Sequence, residues 1–156
     1  MIRVFVDADA CPVREETVDV ATRFGAQVFL VANGGLRPHA HPDVRIIFVD
    51  DGADAADKWI ADEIGPGDLC VTADMPLAAR VVENGAVALK PNGELLDARN
   101  VGQALAQRDL MADLRAANPL AAAGGPRPFS KQDRSRFKER LDATMRAIQR
   151  GSTPRR

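Results

Sequence analysis

The chain has 156 residues, 46% of them hydrophobic and 28% charged, which suits one folded domain with a buried core and argues against disorder. Two cysteines make neither a disulfide framework nor a zinc set, and no apolar run nears the ~20 residues that span a bilayer. The N-terminus carries no signal-peptide pattern, because Asp7 and Asp9 interrupt its apolar stretch, so a cytoplasmic protein with free thiols and no membrane partner is expected.

The elements follow in chain order. Ile2–Val6 is apolar and largely β-branched, the composition of a strand buried on both faces. Pro12 suits the first position of a helix that runs through VREETVDVATRF to Gly25. A second strand, AQVFLVA, ends at Asn33-Gly34-Gly35, and the proline-rich RPHAHPD is a loop whose His39 and His41 read as solvent-exposed. VRIIFV is a third strand, AADKWIADEI a helix, DLCVTA a fourth strand, LAARVVEN a helix and AVALK a fifth strand, followed by the turn Pro91-Asn92-Gly93. Strands that alternate with helices in this way make a parallel sheet covered on both faces.

Beyond residue 98 the pattern becomes helical. Asn100 caps a long helix, VGQALAQRDLMADLRAA, and the small-residue segment AAAGGPRP links it to SKQDRSRFKERLDATMRAI. Ser130 and Asp133 stand at capping-box spacing, and Phe137, Leu141, Met145 and Ile148 share one helical stripe. The division expected is an α/β core over residues 1–120 and a linker with a basic amphipathic helix over 121–156. Charge follows the same division. Residues 1–98 carry 8 Lys/Arg against 17 Asp/Glu, a balance of −9, and residues 99–156 carry 13 against 5, a balance of +8. Solvated helix faces account for much of this, but the polarity also suits an acidic metal site with a basic grip for a polyanion such as RNA.

Three acidic motifs fall where strands run out: Asp7 and Asp9 in VFVDADACP, Asp54 and Asp57 in DDGADAADKW, and Asp74 in VTADMP. The carboxyl ends of parallel strands share one edge of the sheet, so these side chains are expected to meet there. Two carboxylates ~6 Å apart repel by roughly 3 kcal/mol at an effective dielectric near 20; a divalent cation would relieve that, as would protonation of some members, and the cation is the reading preferred. Asp7 and Asp9, at i and i+2, project to one side if the strand continues through them. Taken singly, Asp54, Asp57 and Asp74 are also ordinary helix-capping residues. An all-oxygen set selects Mg²⁺ or Mn²⁺, one ion or two, and such ions serve phosphodiester hydrolysis.

The strings DADACP, GADAADKWI, VTADMPLA and GGPRPFSKQDRSRF resemble the YaiI/YqxD family of small bacterial proteins, over nearly the whole chain. That resemblance implies a PIN-like fold, a three-layer α/β arrangement with a five-stranded, mostly parallel sheet and a helical C-terminal extension. At the level of the PIN superfamily it also implies metal-dependent ribonuclease chemistry. Asp7 then matches the acid ending the first strand, Thr72 and Asp74 match a T-x-D after the fourth, and Asp54 or Asp57 stands where many PIN nucleases use Glu. No further acid follows shortly after Asp74, a position many PIN nucleases use, and Asp9 is the residue to compensate. Leu96-Asp97 departs from the Tyr-Thr pair of the family pattern. The expected catalytic set is Asp7, Asp9 and Asp74, with Asp54 and Asp57 completing the metal cluster. Thr72, Arg127, Lys131, Arg134 and Arg136 form the expected substrate grip, and the scarcity of aromatics predicts a grip by charge rather than stacking.

Two other chemistries and one other class compete. A haloacid-dehalogenase-like phosphatase would use Asp7 as nucleophile and Asp9 as acid/base, but Cys11 stands where its motif carries Thr or Val, and no catalytic Lys is evident. A thiol mechanism at Cys11 lacks a partner cysteine and sits beside two carboxylates, so Cys11 and Cys70 read as small buried residues. The different class is a non-catalytic RNA- or protein-binding module whose acids cap helices or hold a structural ion.

Overall fold

The computed structural model describes residues 2–50, 52, 54–117 and 128–151. Six strands form one sheet: β1 (Arg3–Asp7), β2 (Gln27–Ala32), β3 (Val44–Phe48), β4 (Leu69–Val71), β5 (Val87–Leu89) and β6 (Leu95–Leu96), in the order β3-β2-β1-β4-β5-β6. The first five are parallel, and β6 runs antiparallel to β5. The expectation of five strands is therefore corrected to six. β6 is two buried leucines, too short to show any periodicity, and its pairing is imposed by the preceding turn. There Gly93 donates to the Lys90 carbonyl and adopts φ +91°, a conformation glycine alone adopts without strain.

Four helices cover the sheet, α1 (Arg14–Arg23), α2 (Ala55–Glu63), α3 (Met75–Glu83) and α5 (Lys131–Gln149), while α4 (Val101–Ala117) lies outside them against α3, with none of its residues buried. Strand alternation decides which core each strand residue joins. Val4, Val6, Val28, Leu30, Val71 and Leu89 meet α1 and α5, whereas Phe5, Val31, Cys70 and Ala88 meet α2 and α3. On the second face Phe5 stacks on Phe29 at 5.0 Å between centroids, with Trp59 tilted against both. β2 and β3 are joined by an irregular crossover, residues 33–43, in place of a helix.

α5 is part of the core. Phe137, Leu141 and Met145 are fully buried, and at about 2 kcal/mol each their burial contributes roughly 6 kcal/mol before entropy. The Ser130–Asp133 capping box is complete: each side chain accepts from the other's backbone N–H, at 3.1 and 2.9 Å. Two local expectations are corrected. Pro12 does not open α1, because Ala8–Ala10 form a 3-10 turn and the helix starts at Arg14 with Val13 as its cap. The Asn100 side chain turns backwards, accepting from the Asp97 N–H and donating to the Leu95 carbonyl, so it holds the β6–α4 turn.

Candidate functional site

β1 and β4 are neighbours in space, and the chain runs outward from them in opposite directions across the sheet, so their carboxyl ends flank the topological switch point. Asp7 is the last residue of β1, and Thr72 follows β4 directly. Together with Cys11, Ala73, Asp74 and Pro91 they line a cavity of about 250 Å³. None of those lining residues is basic.

Hydrogen bonds fix the acids at its mouth. The Thr72 hydroxyl donates to Asp7 Oδ2 at 3.2 Å and accepts from the Asp74 N–H at 3.0 Å. Asp74 caps α3, its Oδ1 accepting from the Leu77 N–H at 3.1 Å, while Pro76 follows in the first turn. Thr72 thus ties the end of β1 to the start of α3. Each aspartate keeps one oxygen outside these bonds.

Asp57 completes the group from α2. Its carboxyl is pushed up to about 6, first by burial, then by Asp74 and Asp7 beside it and, more weakly, by Asp54. The carboxyl of Asp7 is likewise raised by burial, with Asp74 and Asp9 adding to the rise and the Thr72 hydroxyl opposing it. Three elements therefore bring three mutually repelling carboxyls together, the condition in which a cation is most strongly favoured. The donors are all carboxylate oxygens, so the residues fit a hard divalent cation. Their side chains are not already disposed as a ligand shell: among the described residues no three His, Cys, Asp or Glu form a ready-made metal group.

Asp54 and Asp9 stand outside this inner trio. Asp54 occupies the N-cap position of α2 without making a side-chain cap, and it is exposed. Asp9 does not project beside Asp7, because β1 ends at Asp7 and the 3-10 turn carries residue 9 away. Both oxygens of Asp9 accept from the Asn33 N–H, at 3.2 and 3.1 Å, so Asp9 pins the end of β2.

The expected grip divides in the same way. Arg134 is occupied in the fold: its Nη1 donates to the Pro12 carbonyl and to Glu16 at 3.1 Å, and its guanidinium lies 5.2 Å from the centre of the Phe129 ring. It fastens α5 to the start of α1, so its guanidinium is already engaged within the fold. Lys131 and Arg136 are exposed and line a shallow groove with Gln132, Ser135 and Glu139. The Arg136 side chain also lies against Gly93, in the turn that begins with the cavity residue Pro91. Arg127 falls outside the described residues.

Cys11 is half-buried and forms a wall of the acidic cavity, a role the sequence reading did not give it. Burial, with Asp7 adding to it, pushes its thiol up to about 11, so it is neutral near pH 7 and a poor nucleophile. Pro91 was missed as a lining residue; the signal available was its position in the turn straight after β5. Cys70 is fully buried, as expected.

The sequence matches the family model described as "Uncharacterized BCR, YaiI/YqxD family" over residues 5–147. A UPF0178 protein of Cereibacter sphaeroides is 58% identical over 146 residues, covering 94% of this chain and 90% of the relative. A UPF0178 protein of Ruegeria pomeroyi is 57% identical, covering 96% and 97%. One of Parvibaculum lavamentivorans is 49% identical, covering 99% and 100%. No solved structure matches the chain at a significant level.

Proposed function

The chain belongs to the YaiI/YqxD family of bacterial proteins, and we propose that it is a divalent-metal-dependent phosphodiesterase of PIN-like type, with RNA as its substrate. The observation that carries this reading is the meeting of Asp7, Asp57 and Asp74, from three separate elements, at the β1/β4 switch point, where burial first and then the two neighbouring carboxyls push Asp57 up to about 6. The parallel order β3-β2-β1-β4-β5 with helices on both faces supports the PIN-like assignment.

Asp7, Asp57 and Asp74 would hold the cation, Mg²⁺ or Mn²⁺. When bound, such an ion supplies Lewis acidity at a phosphoryl oxygen. Thr72 orients Asp7 through its hydroxyl, and the Leu77 N–H orients Asp74, so both carboxylates are pre-positioned. A bound cation would hold the Asp57 carboxyl ionised against the burial and the neighbouring Asp74 and Asp7 charges that otherwise push it up to about 6. Lys131 and Arg136, on the α5 face beyond the Pro91–Gly93 turn, would hold the flanking phosphates.

A second reading, a non-catalytic RNA- or protein-binding module, is favoured by the absence among the described residues of a preformed metal group. One experiment separates the two: calorimetric titration of Mn²⁺ into the metal-stripped wild type and the Asp7→Asn, Asp74→Asn double variant. Asn also caps helices well, so the variant is expected to stay folded. Binding to wild type that the variant loses, together with Mn²⁺-dependent cleavage of RNA by wild type alone, is the expected result. Cleavage that survives in the double variant refutes the site, and no Mn²⁺ binding to the wild type, with or without RNA, favours the binding module.

A further inference from the structure

We propose that the outer edge of β3 pairs with the same edge of a second copy of this chain, antiparallel across a two-fold axis at Ile47, so that two six-stranded sheets become one. β3 is the terminal strand of the sheet, joined on one side to β2. Along it the odd-numbered residues bond inward: the Val28 N–H donates to the Asp43 carbonyl, and the Val49 N–H to that of Ala32. The backbone groups of the alternate residues, Val44, Ile46 and Phe48, therefore point outward. The Val44 N–H is taken by the His41 carbonyl, whereas those of Ile46 and Phe48 have no partner among the described residues. An unpaired row of this kind is a template for another strand.

The side chains on that edge are apolar. Phe48 is 58% exposed, one of the four large hydrophobics left in water among the described residues, and Ile46 and Ile47 are only half-buried. The strand VRIIF contains no Lys, Pro or Gly, the residues that normally guard an open edge, and Arg45 is its only charge.

One register satisfies both observations. A two-fold axis normal to the sheet preserves its faces, so residues opposite each other must have the same parity. With Ile47 opposite the partner's Ile47, Ile46 lies opposite the partner's Phe48, and Phe48 opposite the partner's Ile46. Each of these two pairs exchanges both N–H···O=C bonds, so all the free groups of Ile46 and Phe48 are used. The same pairs bring each exposed Phe48 ring beside an Ile46 side chain on one face, and the two Ile47 side chains meet on the other. The two Arg45 residues are then four positions apart, about 13 Å along the strands, so their repulsion is largely screened. A second copy fits better than an unrelated strand because the apolar residues and the free backbone groups of this segment complement themselves.

The test uses the full chain. Sedimentation equilibrium of wild type is expected to show a concentration-dependent rise from 16.8 kDa towards twice that mass. Phe48→Lys, which places a charge on the edge, is expected to stay at 16.8 kDa with an unchanged circular dichroism spectrum. Ile47→Cys is expected to form a dithiothreitol-reversible dimer on mild oxidation, because opposite residues of a non-bonded antiparallel pair lie within disulfide reach. Arg45→Cys and wild type, treated alike, are the controls that should not cross-link. A wild type that stays at 16.8 kDa at every concentration overturns the proposal. So does a dimer in which Ile47→Cys cross-links no faster than Arg45→Cys, and that outcome decides the matter even if Phe48→Lys fails to fold.

Discussion

Replacing Asp57 with Asn tests the electrostatics of the site directly, through stability. In the metal-free protein the carboxyl of Asp57 moves from 3.8 to about 6 because burial, Asp74 and Asp7 all disfavour its charge. The native state therefore holds this proton more tightly than the unfolded chain. Stability falls as pH rises from about 4, and the penalty is complete above about 6. Unscreened, that rise corresponds to about 3 kcal/mol, and because the side chain is only half-buried, solvent screening reduces it to about 1–2 kcal/mol. Losing a carboxylate from the first turn of α2 costs about 0.5 kcal/mol in helix-dipole energy, so the net gain expected in Asp57→Asn at pH 7.5 is about 1 kcal/mol. Urea unfolding in EDTA reads this as a midpoint raised by about 0.5 M, for a slope near 2 kcal/mol/M. At pH 3.5 the difference should largely vanish, since Asp57 is then mostly neutral in both states. Saturating Mn²⁺ should reverse the order at pH 7.5, because a cation binding only the wild-type native state at a hundred times its Kd adds about 2.7 kcal/mol. A variant no more stable than wild type at pH 7.5, or a difference that does not shrink on acidification, would show that the three carboxyls do not crowd one another as described.

Other substitutions separate structural cations from binding ones. Arg134→Ala should destabilise the fold by about 1–2 kcal/mol, because it removes the bonds to Glu16 and Pro12 and the contact with Phe129, and calorimetric unfolding checks this. Lys131→Ala with Arg136→Ala should leave the melting temperature unchanged and weaken RNA binding more at low salt than at high salt; an equal loss at both would point to a damaged fold. Gly93→Ala should cost about 1–2 kcal/mol, since φ is +91° there and a Cβ would sit 3.2 Å from Arg140 Cγ; unfolding by urea reads it. At pH 8 Cys11 should react with iodoacetamide about a hundredfold more slowly than an unperturbed thiol, its thiolate appearing only as pH approaches about 11, and a rate near that of free cysteine would contradict the burial described.

The carboxylates at strand ends were legible because two patterns coincide in the sequence: β-branched apolar runs that end in Asp, and helix starts immediately after. The β1–β5 strands and the helix spanning Val101–Ala117 follow from residue pattern, and α5 from its apolar stripe and capping box. Those features depend on residues a few positions apart, and such neighbours are fixed by the chain itself.

What the sequence left open depends on residues brought together by folding. Asp9 and Asp7 look equivalent in DADACP, yet the 3-10 turn sends one to Asn33 and leaves the other at Thr72. Arg134 and Arg136 look equivalent on a basic helix, yet docking against α1 ties one to Glu16 and Pro12 and leaves the other in water. By itself the sequence determined where the charged residue types stand, which of the longer runs are strands or helices, and which family the motifs resemble. The tertiary structure decided which carboxyls share a site and which cations are already spent, because a charge interacts with whatever the packed sheet places within a few ångströms of it, and sequence separation does not encode that distance.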